Sequence, residues 1–457
     1  MIEEYDVLVL GDGSAGSIVQ HALMDGKKVA LVDNGPLGGT CLNYGCIPSK
    51  MLMYPADRIM EIKDSEKLGV SAEVTDVDFQ NIMSRMRGVI QDSHEHMEGI
   101  DQVEGLDYYD GAGSFVDDYT VEVDGERIRG KKIFIGTGAR PLIPPIKGVE
   151  DVDYLTNETI FDLEEKPESL VIVGGGYIAV EFAHFFSAVG TKVTVIQRSN
   201  RLISNVESEI SDLLKKKFDE RMNVVLNTEV VELKKQKGKV IAVGEDKESG
   251  EKKSFKGEKV LIATGRKSNA DVLKVENTCV ETDEHGYIQV NDFLETSKEN
   301  IWALGDATGR GMFKHVANEE AEIAWNNAMT PSDKVKLDYD NTPYAVFTYP
   351  EIAAVGLTEE EAKEDFDPLV GKAKYTDVAM GEAMVEKDGF AKIIVDHTGK
   401  ILGFHIVGPY ASILIQEVIN AVSLDGKIGF IANGMHIHPA LPELVLQTLG
   451  NLQHPAD

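Results

Sequence analysis

Short apolar runs alternate with amphipathic stretches along this chain, and glycines stand at many of the boundaries between them. The segments 5–33 and 169–197 share one order: an apolar run, a glycine-rich turn, a stretch with helical spacing, and a second apolar run. Runs of this length and β-branched content predict strands, and the intervening spacing predicts a helix. Because strands that alternate with helices form parallel sheets, the pattern predicts an α/β chain with two similar units.

Each unit places its glycine-rich turn between a strand and a helix. The two turns are Gly11-Asp-Gly13-Ser-Ala-Gly16 and Gly174-Gly-Gly176-Tyr-Ile-Ala179. The first glycine permits a tight turn, the second lets the backbone approach a pyrophosphate, and a small third residue lets helix and strand pack closely. The helix N-terminus then favours the anion. Because both turns stand in this context, we predict two dinucleotide sites rather than two ordinary turns.

The second strand of each unit ends in a different side chain. Asp33 ends the first, where a carboxylate accepts hydrogen bonds from a ribose of FAD or NAD. Gln197 and Arg198 end the second, and Arg201 follows closely. Arginine pairs with a phosphate that a carboxylate would repel, so the second site is predicted to take NADP(H). The alternative is that Arg198 and Arg201 are ordinary surface arginines.

Three further predicted strands end in glycine and polar residues, at the sheet edge where ligands bind. Their ends supply the candidates Thr137, Gly138, Gly265, Gly305 and Asp306. From about residue 344 the pattern changes to strands at 389–395 and 401–407, followed by an apolar helix over 413–422. This change predicts a separate α+β domain.

The stretch from residue 38 to 50, GGTCLNYGCIPSK, contains two of the chain's three cysteines. Cys41 and Cys46 can meet across a distorted helical turn, and a helix N-terminus together with Lys50 would lower a thiol pKa. The spacing is neither CxxC nor that of a zinc site. Directly after a predicted flavin turn, it predicts a disulfide that exchanges electrons with a flavin; the alternative is two inert buried cysteines. Cys279 is predicted to pack in a strand without redox activity.

The segment His436-Ile-His438-Pro-Ala-Leu-Pro-Glu443 holds the other candidate chemistry. Histidine moves protons near pH 7, and a carboxylate on its second nitrogen sets the tautomer, so His438 and Glu443 could form an acid–base pair. The two histidines could also be metal ligands or plain polar loop residues. The spacing alone favours the loop residues.

Composition narrows the class of protein. The 457 residues carry 77 acidic and 46 basic side chains, a formal net charge of −31. The negative electrostatic potential of so acidic a protein repels nucleic acid and anionic membranes. Three cysteines are too few for a secreted disulfide framework, and no apolar stretch reaches the roughly 20 residues of a membrane span. We therefore predict a soluble, cytoplasmic protein. We interpret the acidic excess as an adaptation to high salt, and the plentiful lysines argue against that interpretation.

With these motifs in this order, the whole chain resembles the pyridine nucleotide–disulfide oxidoreductases, the family of glutathione reductase, dihydrolipoamide dehydrogenase, mercuric reductase and mycothione reductase. GGTCLNYGCIPSK carries the resemblance most specifically, and GGGYIAVEFAHFFSAVG and MHIHPALPELV are most similar to mycothione reductase. The resemblance implies an FAD-binding part over 1–148 and 269–338, an NADPH-binding domain over 149–268 and an α+β dimerisation domain over 339–457. It also implies a homodimer with a shared active site.

The resemblance further implies roles for single residues. FAD would be held by Gly11, Gly13, Gly16, Asp33, Thr40, Lys50 and Asp306, and NADPH by Gly174, Gly176, Ala179, Arg198 and Arg201. Lys50 would pair with Glu181, and Tyr177 would cover the nicotinamide pocket until NADPH enters. Cys46 would face the flavin and Cys41 would attack a small disulfide. His438 and Glu443 would act from the other subunit, and no metal is expected.

Departures from the family's usual motifs reduce the number of candidate substrates. Mercuric reductases need a C-terminal cysteine pair, and no cysteine follows Cys279. The first helix lacks the basic residues that bind glutathione. The preferred interpretation is an NADPH-dependent reductase of a mycothione-like disulfide. The alternatives are an NAD-linked dihydrolipoamide dehydrogenase, a docking subunit of a 2-oxo-acid dehydrogenase complex, and a redox-sensing flavoprotein without reductase activity.

Overall fold

A computed structural model describes residues 2–454 of the chain. Its strands, in chain order, are β1 (Glu3–Leu10), β2 (Val29–Asp33), β3 (Leu106–Asp110), β4 (Ser114–Asp117), β5 (Thr120–Val123), β6 (Glu126–Ile135), β7 (Ala139–Pro141), β8 (Tyr154–Leu155), β9 (Ser169–Val173), β10 (Lys192–Ile196), β11 (Asn223–Val225), β12 (Thr228–Gln236), β13 (Lys239–Asp246), β14 (Lys252–Gly257), β15 (Lys259–Ile262), β16 (Arg266–Ser268), β17 (Ile301–Ala303), β18 (Tyr344–Val346), β19 (Ile352–Gly356), β20 (Leu369–Lys374), β21 (Phe390–Val395) and β22 (Ile401–Val407). The α-helices are α1 (Gly16–Met24), α2 (Gly39–Asn43), α3 (Cys46–Asp64), α4 (Phe79–Met97), α5 (Tyr177–Ala188), α6 (Ser208–Asp219), α7 (Lys314–Met329), α8 (Glu359–Asp365), α9 (Ala379–Ala383), α10 (Ala411–Leu424), α11 (Gly429–Ala432) and α12 (Glu443–Gly450).

The first glycine-turn unit forms the centre of a seven-stranded sheet ordered β3-β2-β1-β6-β5-β4, with β17 added beside β6. Strand β1 runs parallel to β2 and β6, with Val7 opposite Val29 and Lys132. Although β17 comes much later in the chain, it pairs in parallel with β6, and Trp302 lies opposite Phe134. The chain therefore leaves this sheet and returns to it, as expected for a discontinuous domain, although the predicted domain limits stay predictions.

The second unit forms a five-stranded parallel sheet ordered β11-β10-β9-β15-β8. A three-stranded antiparallel sheet, β12-β13-β14, lies beside it in the chain. The charge-dense stretch from residue 245 to 259 contains the turn between β13 and β14, which pair as an antiparallel hairpin. Both predicted strand–turn–helix–strand repeats are thus confirmed, and the fold class is α/β as predicted.

The C-terminal part is a separate antiparallel sheet ordered β18-β19-β22-β21-β20. Helix α10 covers one face of this sheet, where Leu414 and Val418 join Phe404 and Ile406 in one apolar core. The predicted change to an α+β architecture after residue 344 is confirmed.

Helices α3 and α5 join the units, because both contribute to one large apolar cluster. Leu52 and Ala56 of α3 pack there with Phe182 and Phe185 of α5, all at most 3% exposed. This contact sets the helix that starts at the second cysteine against the helix that starts at the second glycine turn.

The prediction that Cys279 packs in a strand is wrong. The residue is exposed and lies in a turn. Its neighbours Val275 and Val280 are buried instead, and the polar residues between them do not support an alternating strand pattern. No helix within residues 2–454 is long and apolar enough to cross a membrane.

Candidate active site

Both glycine turns and both cysteines of the 38–50 stretch open on one cavity of about 1610 Å³. The carboxyl ends of the parallel strands of both sheets face it, as ligand sites of such sheets do. The predicted residues that line it are Gly11, Gly13, Asp33, Thr40, Cys41, Cys46, Lys50, Thr137, Gly138, Gly174, Gly176, Tyr177, Glu181, Arg198, Gly265, Gly305 and Asp306. Those absent from its wall are Gly16, Ala179, Arg201, His438 and Glu443.

The first glycine turn has the shape that a dinucleotide needs. Gly11 has φ +99°, and a Cβ there would lie 2.5 Å from the carbonyl oxygen of Gly136. A Cβ on Gly13 would meet no atom within 4 Å, so its backbone faces open space. The buried Thr137 hydroxyl has no hydrogen-bond partner among the described residues. An unfilled backbone cradle beside an unsatisfied polar atom fits a pyrophosphate ligand such as FAD.

Two carboxylates organise this turn. Asp33 accepts hydrogen bonds from the backbone N–H groups of Asp12, at 2.6 Å, and Gly35, at 2.8 Å. Asp12 accepts one from the N–H of Gly38 at 2.9 Å, which ties the turn to the start of α2. Burial raises the pKa of Asp12 to about 6, although the Gly38 bond lowers it. Sequence reasoning missed Asp12, because it occupies a freely variable place in the glycine motif.

The second glycine turn has the same backbone geometry as the first, but arginines follow it where the first turn is followed by a carboxylate. Gly174 has φ +119°, and a Cβ there would collide with the carbonyl oxygen of Ala263. The Arg198 side chain is exposed and lines the cavity. The guanidinium of Arg201 lies instead 4.0 Å from the carboxylate of Glu360. The structure therefore brings only one of the two predicted arginines to this site.

The cysteines lie at the junction of two helices. Cys41 is inside α2, and Cys46 is the first residue of α3. A Cβ on Gly45, between the helices, would lie 2.9 Å from the carbonyl oxygen of Thr40, so the close turn requires glycine. Both cysteines are free thiols, and they share a hydrogen bond.

That hydrogen bond makes the two thiols unequal. It raises the pKa of Cys41, and burial raises it further. Cys46 is exposed at the cavity. The hydrogen bond from Cys41 is the largest influence on its pKa, and with the positive charge of Lys50 it lowers that pKa to about 6, although partial desolvation acts in the opposite direction. Near neutral pH the pair therefore holds its negative charge on Cys46.

Lys50 and Glu181 are brought together as predicted, from one turn into α3 and one turn into α5. The Lys50 Nζ donates to both Glu181 oxygens, at 3.0 and 2.7 Å. Glu181 is 8% exposed and also accepts from the backbone N–H of Phe347 at 3.1 Å. The Lys50 Nζ lies 4.5 Å from the centre of the Phe347 ring. Sequence reasoning missed Phe347, which has no local motif.

An aromatic cluster lies at the second turn. The ring of Tyr177 is 5.8 Å from that of Phe313 and 5.7 Å from that of Tyr344. Its hydroxyl accepts a hydrogen bond from the amide of Asn205 at 2.5 Å. Burial raises the pKa of Tyr177 to about 12, so the hydroxyl is neutral. Only Tyr177 of this set was predicted.

His438 and Glu443 form the predicted pair, at 2.8 Å between Nδ1 and Oε1. Glu443 also accepts from the N–H of Ala440 at 3.0 Å, and this bond, followed by that to His438, lowers its pKa. The His438 side chain is 73% exposed. His436 pairs separately with Glu417 at 2.8 Å, so each histidine has its own carboxylate. Within residues 2–454 no group of three or more histidine, cysteine or acidic side chains could hold a metal.

Comparison with known proteins gives the family. The model of the family described as pyridine nucleotide-disulphide oxidoreductase matches residues 5–321, and that of its dimerisation domain matches residues 342–448. A solved Cu(II) complex of the HOCl-induced flavoprotein disulfide reductase RclA from Escherichia coli superimposes with a TM-score of 0.87. The two are 27% identical, and the match covers 98% of this chain and 99% of that one.

Three relatives support the same conclusion. Mycothione reductase of Mycobacterium tuberculosis is 35% identical over 466 residues, covering 99% of this chain and all of the relative. Mercuric reductase of Lysinibacillus sphaericus is 35% identical over 432 residues, covering 93% and 78%. Dihydrolipoyl dehydrogenase of Haloferax volcanii is 32% identical over 459 residues, covering 98% and 96%. The chain therefore belongs to the pyridine nucleotide-disulphide oxidoreductases and is an FAD-dependent enzyme that also uses a pyridine nucleotide.

Proposed function

We propose that this enzyme uses NADPH to reduce a small-molecule disulfide of the mycothione type. The observation that carries the proposal is the Cys41–Cys46 pair, which opens on the cavity that both glycine turns share. The unequal pKa values of the two thiols support separate roles for them. The identity and coverage of the mycothione reductase relative favour that substrate class.

FAD fits the first turn, where Gly11, Gly13 and Asp33 would hold it together with Thr40 and Asp306. When bound, FAD relays electrons from the pyridine nucleotide to the Cys41–Cys46 disulfide. Lys50, held by Glu181, contributes a fixed positive charge next to Cys46. That charge, together with the hydrogen bond from Cys41, favours the thiolate form of Cys46 when the pair is reduced.

Cys41 and Cys46 then act in sequence on the substrate. Cys41 passes its proton to His438 of the partner subunit, and its sulfur attacks one sulfur of the substrate disulfide. The second substrate sulfur leaves as a thiolate and takes that proton from His438 of the partner subunit, which gives the first thiol product. The Cys46 thiolate next attacks the Cys41 sulfur, which restores the Cys41–Cys46 disulfide and releases the other substrate half as a thiolate that takes its proton from water. Each cycle thus consumes the two electrons that NADPH supplies.

His438 and Glu443 are proposed as the proton donor and its orienting carboxylate, acting in the partner subunit's cavity. Support comes from the exposed His438 ring and from its surroundings, where Met435 and Ile437 are 101% and 76% exposed. Apolar side chains in such positions favour a covering partner. The dimerisation domain of the family supports a homodimer.

NADPH is preferred over NADH because Arg198 presents a guanidinium at the end of β10, where a ribose 2′-phosphate would lie. The placement of Arg201 toward Glu360 leaves this preference to Arg198. For that reason the second candidate is an NAD-linked dihydrolipoamide dehydrogenase, which the Haloferax volcanii relative also supports. The cytoplasm remains the proposed location, with no nucleic-acid or membrane partner.

The experiment is a substrate panel with purified protein. Oxidation of NADPH and NADH would be followed with mycothione, bis-γ-glutamylcystine, glutathione disulfide, coenzyme A disulfide and lipoamide, and NAD⁺ reduction with dihydrolipoamide. The proposal expects the highest kcat/KM for NADPH with mycothione. A preference for NAD⁺ and dihydrolipoamide, particularly in material that purifies with a 2-oxo-acid dehydrogenase complex, would replace it with the second candidate.

A further inference from the structure

The hydroxyl of Tyr177 is tied to the segment between β10 and α6. Asn205 Nδ2 donates to it at 2.5 Å, and the hydroxyl of Tyr344 donates to the backbone oxygen of Asn205 at 3.5 Å. Tyr177, Asn205 and Tyr344 all line the cavity. The side chain that stands over the second turn is therefore fixed at its ring by aromatic neighbours and at its tip by one amide.

The same segment contains Arg198 and is anchored on the second glycine turn. The backbone N–H of Ile203 donates to the carbonyl oxygen of Gly175 at 2.8 Å. A Cβ on Gly175 would lie 2.9 Å from the Gln197 side chain, so turn and segment are in contact. Arg198 and Asn205 therefore belong to one segment that is fixed to the glycine turn between them.

Ile203 gives this segment a strained point. Its φ is +45°, a conformation that β-branched residues rarely adopt, and its side chain is 2% exposed. Strained residues persist where surrounding structure holds them, and they are common in switch segments. Two residues before Asn205, this strain provides a place where the segment can change conformation.

We propose that Asn205 is a positioning residue that latches Tyr177 across the nucleotide pocket, and that a nucleotide held by Arg198 releases the latch. The inference rests on the proposed nucleotide site and adds to it the residue that sets the closed position. The hydrogen bond exists only while Tyr177 covers the pocket. It therefore stabilises the closed state and weakens the apparent affinity for the nucleotide.

The sign of the effect is set by which state the bond stabilises. Removing the bond from either side shifts the population toward the open pocket, so the dissociation constant of NADP⁺ falls. A neutral hydrogen bond of ordinary strength corresponds to a decrease of about threefold to tenfold. Because both substitutions remove one and the same bond, their effects are not additive.

The experiment measures NADP⁺ binding to the FAD-loaded enzyme by calorimetry, without turnover. The variants are Asn205→Ala, Tyr177→Phe and the double variant, with Asn200→Ala as the matched control, since Asn200 is exposed and lies in the same segment. We expect NADP⁺ to bind about threefold to tenfold more tightly to each single variant and equally tightly to the double variant. The control binds as the wild type does.

Other results would overturn the latch in recognisable ways. Unchanged affinity in both single variants would mean that the bond does not hold the pocket closed. Weaker binding in Asn205→Ala alone would make Asn205 a nucleotide contact, and additive effects would separate the two residues. If the wild type binds neither NADP⁺ nor NAD⁺, the proposed nucleotide site itself fails, and the latch fails with it.

Discussion

The two glycine-turn units share a backbone and differ in the residues that come after it. In each, the first glycine has a positive φ and nests against the neighbouring strand, Gly11 on Gly136 and Gly174 on Ala263. The first unit continues to Asp33 and then to the cysteine helices. The second continues to Arg198 and a segment that holds Tyr177 through Asn205.

This difference shows how one local fold is adapted to two tasks. Where the fold needs close backbone approach, both units use glycine, because any side chain would collide. Where ligand chemistry differs, the units carry opposite charges: Asp12 and Asp33 in the first, Arg198 in the second. Substitutions of the glycines should therefore weaken ligand binding in either unit through steric collision. Substitutions of the charged residues should affect only the ligand of their own unit.

The largest expected effect tests whether the first unit carries the chemistry. Cys41→Ser should lower disulfide reduction by about 10³-fold or more, because the thiol that is proposed to attack the substrate is lost and Cys46 alone cannot form the enzyme disulfide. FAD content and nucleotide affinity should stay at wild-type levels, as absorbance and calorimetry would check. Cys279→Ser, at the exposed turn, is the matched control and should keep full activity. Turnover retained in Cys41→Ser would remove the proposed mechanism.

The next largest effect tests which glycine turn binds FAD and which binds the pyridine nucleotide. Gly11→Ala should weaken FAD binding by on the order of 10²-fold or more, since a Cβ would meet the Gly136 oxygen and φ would be strained. Gly174→Ala should weaken NADP⁺ binding comparably while FAD is retained. Released flavin and calorimetric NADP⁺ titration measure the two losses. Loss of FAD in Gly174→Ala with NADP⁺ binding intact would reverse the assignment of the turns.

A smaller effect concerns the charge at the end of β10. Arg198→Ala should lower kcat/KM for NADPH about tenfold to a hundredfold, because a charged hydrogen bond to the 2′-phosphate is lost. The value for NADH should change little. Arg201→Ala is the matched control, since its guanidinium faces Glu360 and not the cavity. Equal losses with both nucleotides would contradict a role for Arg198 in choosing between them.

The Cys46 thiol should respond to pH in the reduced enzyme. Its pKa is lowered to about 6, so alkylation by iodoacetamide should rise as pH increases through 6 and level off above it. Replacing Lys50 and Glu181 together by Met and Gln removes the nearby charge without stranding a buried carboxylate. The midpoint should then move upward by about one pH unit. If the pH midpoint of alkylation did not move, the hydrogen bond from Cys41 alone would account for the lowered pKa of Cys46.

The smallest effect concerns Asp12, an acid without a counterpart in the second turn. Its pKa is raised to about 6 by burial, so the native state binds the proton more tightly than the unfolded chain does. Stability from this group therefore falls as pH rises from about 4 to about 6 and stays low above that. Asp12→Asn should raise the apparent Tm at pH 7 by roughly 2–4 °C and leave it unchanged at pH 3.5. A gain of equal size at both values would point to a cause other than titration.

The sequence by itself determined the features that are local in the chain. The two strand–turn–helix units and the cysteine stretch each lie within about thirty residues, so spacing and residue type were sufficient to predict them. For His438 and Glu443 the spacing alone favoured plain loop residues, and the resemblance was needed to prefer an acid–base pair. The resemblance then supplied the Lys50–Glu181 pair, which the structure brings together. Cys279 was misplaced, because a single apolar neighbour does not define a strand.

Only the tertiary structure decided the contacts between distant segments. The N–H of Phe347 reaches Glu181 across 166 positions, and Asn205 reaches Tyr177 across 28. The guanidinium of Arg201 lies 4.0 Å from the carboxylate of Glu360 in the C-terminal part and does not line the cavity. These contacts depend on how α3, α5 and the C-terminal sheet are packed together. Non-directional apolar burial drives that packing, and its geometry cannot be read from the spacing of residues along the chain.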